Sequence, residues 1–97
     1  MAGLPVSEIM SALASLEGWQ YADGTISKTF TFPNYPAGLM FASAVGTLAE
    51  SLNHHPELLI GYKRVTVTFT THDDGSVITQ YDLNAAQRIE QLGYPSR

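Results

Sequence analysis

Two runs of alternating residues constrain this chain most. In 65–71, Val65, Val67, Phe69 and Thr71 share one face, while Thr66, Thr68, Thr70 and then His72 take the other. In 26–32, Ile26, Lys28, Phe30 and Phe32 lie opposite Ser27, Thr29 and Thr31. Strand side chains point alternately to opposite sides, so each run is a strand with one apolar and one hydroxyl-bearing face. Lys28 on the apolar face predicts a position near an edge, where its stem packs and its ammonium reaches out. Trp19-Gln20-Tyr21 leads into Asp23-Gly24, a dipeptide suited to a type I′ turn, which makes 19–32 a hairpin. Glu57 to Gly61 reads as a further short strand, joined to the 65–71 run by a turn at 61–63.

Helical spacing fills the rest. Val6, Ile9, Met10, Leu13 and Leu16 form one apolar stripe, with Pro5 in the first turn and Gly18 closing the segment. A second helix is predicted from Ala37 to Asn53, ended by Pro56. Phe41, Val45, Leu48 and Leu52 are its stripe, while Leu39, Met40, Ala42, Ala44 and Ala49 extend apolar surface around the cylinder. One small sheet covers only one side of such a helix, so its other side is expected to meet another subunit. After a loop at 73–75, Thr79 and Asp82 have capping-box spacing. Leu83, Ala86, Ile89 and Leu92 follow, and Gly93 stops the last helix. The order helix-strand-strand-helix-strand-strand-helix predicts an α+β two-layer sandwich: an antiparallel four-stranded sheet with helices on one face, one domain over residues 1–97.

Composition excludes several function classes. Net charge is −4 with five Lys plus Arg, too few basic residues to neutralise a nucleic-acid backbone. Without cysteine there is no disulfide, thiolate metal site or thiol nucleophile. The first basic residue is Lys28, which leaves no charged n-region for a signal peptide. The weakly charged stretch 35–49 is shorter than the roughly 20 residues of a membrane span and is broken by Gly38, Ser43, Gly46 and Thr47. A soluble, intracellular, cytoplasmic protein is expected.

Chemistry-bearing residues concentrate between 50 and 72. All three histidines, His54, His55 and His72, lie there. Glu50 precedes His54 by four residues, so on a continuous helix the two share a face and the carboxylate can orient the imidazole. Adjacent helical histidines diverge by about 100° and share one metal poorly, and no carboxylate has ligand spacing, so no metal is expected. Neither a Gly-x-Ser-x-Gly elbow nor a phosphate-binding glycine loop is present.

The run Glu50-Ser51-Leu52-Asn53-His54-His55-Pro56, five residues, Tyr62, nine residues, His72, nine residues and Asp82 resembles the signature of the pterin-4a-carbinolamine dehydratase family. Leu16-Glu17-Gly18-Trp19, the 26–32 strand and Thr71-His72 extend the likeness over essentially the whole chain. Leu58 stands where many members carry Trp, and Asn53 where an acidic residue is common. The resemblance implies a lyase that dehydrates 4a-hydroxytetrahydrobiopterin to quinonoid dihydropterin in tetrahydrobiopterin recycling, with no cofactor and no metal. It implies His54 and His72 as the acid–base pair, His55 binding the pterin and assisting, and Glu50 orienting His54. Trp19 would wall the pocket and Asn53 would contact substrate, while Asp82 is read as a helix cap rather than a chemical group. A homodimer or homotetramer is implied. The competing expectation is a non-catalytic dimerisation or assembly cofactor that binds a partner protein through the second helix.

Overall fold

In the computed structural model, which describes residues 3–72 and 75–93, the alternating runs become strands of one sheet. The chain order is α1 (Val6–Leu13), β1 (Gln20–Ala22), β2 (Thr25–Thr31), α2 (Tyr35–Leu52), β3 (Glu57–Ile60), β4 (Arg64–Phe69) and α3 (Gln80–Glu90). The strands lie in the order β1-β2-β4-β3, and every neighbouring pair is antiparallel. Asp23 and Gly24 both take positive φ, 49° and 77°, as a type I′ turn between β1 and β2 requires.

Register fixes the two faces. Ile26 pairs with Phe69 and Phe30 with Val65, so their side chains share the covered face. Ser27 pairs with Thr68 and Thr29 with Thr66, on the open face. Ile9 and Leu13 of α1, Phe41 and Val45 of α2, and Leu83, Ala86 and Ile89 of α3 join the covered face in one core. Fully burying a side chain such as Phe41 or Ile9 contributes about 1.5–3 kcal/mol. The α+β two-layer expectation holds.

The first helix departs from its predicted stripe, whereas α2 keeps its own, with Phe41 and Val45 buried and Leu48 and Leu52 packed against the core. α1 is short, and only Ile9 and Leu13 of its side chains are buried, while Val6 and Met10 are 54% and 52% exposed. Leu16 is buried from the turns that follow it, before Gly18 at φ 87°. α2 starts two residues earlier than predicted, because Asn34 Oδ1 accepts the Ala37 N–H at 2.9 Å and caps it. It buries Gly38, Phe41, Ala42, Val45 and Ala49 and leaves Leu39 and Met40 exposed. No helix among the described residues is long and apolar enough to cross a membrane. Asp73 and Asp74 of the expected loop lie outside the described residues.

Lys28 sits beyond the β1 ladder, whose last rung joins Gln20 to Ser27. Its ammonium meets Glu90 Oε2 at 2.8 Å and lies 4.7 Å from the Phe30 ring centroid. The predicted edge position is correct, and a carboxylate from the end of α3 receives the charge.

The two α2 glycines differ. A Cβ on Gly38 would touch Phe32 and Val65 at 3.5 Å, whereas one on Gly46 would meet nothing within 4 Å. Gly46→Ala should therefore stabilise the protomer by about 0.5–1 kcal/mol through helix propensity and a less flexible unfolded chain. Thermal unfolding at matched concentration checks this; a lowered Tm would contradict it.

Candidate active site

A difference in strand length opens the site. The β3–β4 ladder ends where Glu57 pairs with Thr68, and the chain of β4 continues past it to Thr70, Thr71 and His72. Across from this free edge runs the connection from α2 into β3. Between them lies a cleft of about 770 Å³, lined by Leu52, Asn53, His54 and His55 on one side and Thr70, Thr71 and His72 on the other, with Tyr81 from α3. His72 is exposed here, one residue beyond the Thr71–Val77 bridge.

Asn53 determines where His54 points. It adopts the left-handed conformation, φ 52° and ψ 41°. Its N–H donates to Glu50 O, and the His54 N–H reaches back to Ala49 O, each at 3.1 Å. This pair of bonds is a Schellman termination, and asparagine is the commonest residue after glycine to accept it. The helix thus stops at Leu52, and His54 leaves the helical spiral.

The expected coupling of Glu50 to His54 fails for that reason. Glu50 Oε1 instead lies 2.7 Å from His55 Nε2, in a pair that is largely exposed. His54 turns inward, and its Nε2 is 2.6 Å from Oδ1 of Asp82. Its ring stacks on Phe69 with 5.6 Å between centroids and 5° between planes.

Asp82 has two duties. It completes the capping box expected at Thr79, with Oδ2 accepting the Thr79 N–H at 2.9 Å. The same oxygen accepts the Thr71 hydroxyl at 2.8 Å. Because that proton is committed, the Thr79 hydroxyl donates to Thr71 Oγ1 at 2.9 Å. Asp82 is 0% exposed, and its other oxygen faces His54. An ionised carboxylate only accepts, so the contact assigns the proton to His54 Nε2 and leaves the Nδ1 lone pair of the neutral ring free. Reading Asp82 as a helix cap alone missed this second contact, although its place nine residues after His72 was the available signal.

Trp19 does not reach the histidines. It is buried, its Nε1–H donates to Glu90 Oε2 at 2.9 Å, and it packs against Phe30 and Phe69. Phe69 packs against both rings, Trp19 and His54. The predicted pocket wall is instead a core residue. Thr70 and Tyr81 line the cleft without any sequence pattern that marks them. Among the described residues, no three His, Asp or Glu side chains converge as metal ligands.

This small α+β arrangement, with imidazoles at the end of a four-stranded sheet, has close structural counterparts. A crystal structure described as a transcriptional coactivator/pterin dehydratase from Brucella melitensis superposes with a TM-score of 0.85 at 34% identity, over 94% of this chain and 98% of that one. A pterin dehydratase-like protein identified as a RuBisCO assembly factor shares the fold, with a TM-score of 0.66 at 23% identity over 82% and 94% of the two chains. In sequence, a Metallosphaera sedula protein named "Putative pterin-4-alpha-carbinolamine dehydratase" is 41% identical over 92 residues, 95% of each chain. The chain belongs to the pterin 4 alpha carbinolamine dehydratase family, whose model matches residues 2–92.

Proposed function

We propose that this chain dehydrates 4a-hydroxytetrahydropterins to quinonoid dihydropterin and water by histidine acid–base catalysis, supporting tetrahydropterin recycling. The observation that carries the reading is the convergence of His54, His55 and His72 on one cleft, with His54 held by buried Asp82. The 4a-hydroxyl leaves as water only once it is protonated, while a ring nitrogen gives up its proton. Imidazole is a side chain suited to both roles, since it can donate a proton in one step and accept one in another. His54 and His72 are the acid–base pair, and Asp82 positions His54. His55, steadied by Glu50, binds substrate and assists, and Asn53 contributes to the cleft wall.

The test is the decay of a 4a-hydroxytetrahydropterin, made in situ by a pterin-dependent aromatic hydroxylase and followed by absorbance. Purified protein should accelerate it in proportion to its concentration. Decay at the spontaneous rate would remove the enzymatic reading and favour the second one, a partner-binding cofactor. That reading has one observation behind it, the exposed Leu39 and Met40 on α2.

The same face supports self-association into a homodimer or homotetramer. Met40 is 63% exposed and borders a shallow depression with Ala44, Leu48 and Leu92. Ser43 and Thr47 also line it, and the exposed apolar side chains beside them, Leu39 and Met40, are of the kind found at interfaces. Met40→Glu should shift the assembly toward monomer in sedimentation velocity at micromolar concentration. A wild-type chain that sediments as a monomer would defeat the proposal.

A further inference from the structure

We infer that Tyr81 is the aromatic wall against which the flat half of the pterin lies, and so a substrate-binding residue of this site; this rests on the dehydratase reading above. Tyr81 is the second residue of α3, next to Asp82. Thr79 caps the helix by accepting the Tyr81 N–H at 3.3 Å, which ties its backbone down. One helical step, about 100°, separates the two side chains. Asp82 therefore turns into the core toward His54, and Tyr81 turns into the cleft.

The phenol ring has no structural task that accounts for it. It is 55% exposed, and its hydroxyl has no hydrogen-bond partner among the described residues. Its centroid lies 6.0 Å from that of His54, at an interplanar angle of 37°. The residue is thus fixed at its base, open at its ring and adjacent to the imidazole assigned to proton transfer.

The chemistry of the substrate fits such a wall. C4a of the carbinolamine is tetrahedral, but the rest of the pyrimidinone ring, from C4 through N3, C2 and N1 to C8a, stays conjugated and close to flat. A flat heterocycle gains affinity on an aromatic face with little demand on hydrogen-bond direction. Leu58 is partly buried against the core and is not among the residues lining the cleft, so it supplies no such face. Among the described residues, Tyr81 is the one aromatic carbocycle that lines the cleft.

The test combines equilibrium binding with kinetics. Quenching of the fluorescence of oxidised biopterin, an unreactive flat pterin, gives Kd for wild type, Tyr81→Phe, Tyr81→Leu and Tyr81→Ala. The phenylalanine variant should bind within about twofold of wild type, and the leucine and alanine variants about tenfold more weakly, as expected for one lost stack. In turnover, KM should rise by a similar factor in the leucine and alanine variants, with kcat falling much less. Equal Kd for wild type and Tyr81→Ala overturns the wall while leaving the dehydratase reading intact. A leucine variant that binds like the phenylalanine one overturns it too, since apolar bulk would then suffice. Failure of the wild-type chain to bind the pterin overturns the proposal together with the reading beneath it.

Discussion

Asp82→Ala is expected to lower stability by about 3 kcal/mol and to abolish most dehydratase activity. Alanine leaves the Thr79 N–H without its cap acceptor, a loss of about 1 kcal/mol. It also strips the buried Thr71 hydroxyl and the partly buried His54 of a charged acceptor, and a buried group left unsatisfied costs about 1–3 kcal/mol. For a chain this size, each kcal/mol moves Tm by about 4–8 °C, so melting should fall by more than 10 °C. Asp82→Asn separates stability from chemistry. Its one carbonyl oxygen can still serve Thr79 and Thr71, where Oδ2 now stands. Its NH2 then faces His54 Nε2, where Oδ1 accepts at present. Two donors cannot share that contact, so the neutral imidazole moves its proton to Nδ1 and loses the free lone pair there. Holding the wrong tautomer should reduce kcat by about 10²–10⁴-fold with the fold retained. Circular dichroism melts and steady-state kinetics on the two variants check both parts. An asparagine variant within twofold of wild-type kcat would remove Asp82 from its positioning role.

His72→Ala should cut kcat by about 10²–10⁴-fold, the usual contribution of one general acid or base, and leave Tm within a few degrees of wild type. The structural reason for the second half is that His72 is exposed, beyond the end of β4, and contributes nothing to the core. It belongs to the cleft through position alone, opposite His54 and His55. A neighbouring imidazole could take over part of the proton transfer, which would move the loss toward the lower end of the range. Near-normal turnover by the folded variant would defeat the assignment of His72 to the acid–base pair.

Short-range pattern made much of this molecule legible before any coordinates. Alternation at 26–32 and 65–71, Asp23-Gly24 at the hairpin and Thr79 with Asp82 at the start of α3 all act through the backbone and near neighbours. Each appears in the structure where it was expected, although β4 itself stops at Phe69. The spacing of His54, His55, His72 and Asp82 named the family for the same reason, being a pattern along the chain. Contacts between distant segments were not legible. Asp82 meets His54 across 28 positions and Trp19 meets Glu90 across 71, and both depend on how α3 settles on the sheet. The transfer of Glu50 from His54 to His55 turned on one dihedral, the left-handed φ of Asn53, which takes His54 off the helical spiral. Tyr81 reached the cleft only because α3 begins beside the free edge of β4. Spacing along the chain determines which side chains share a face of one element, whereas the partner each face meets is decided when separate elements pack together.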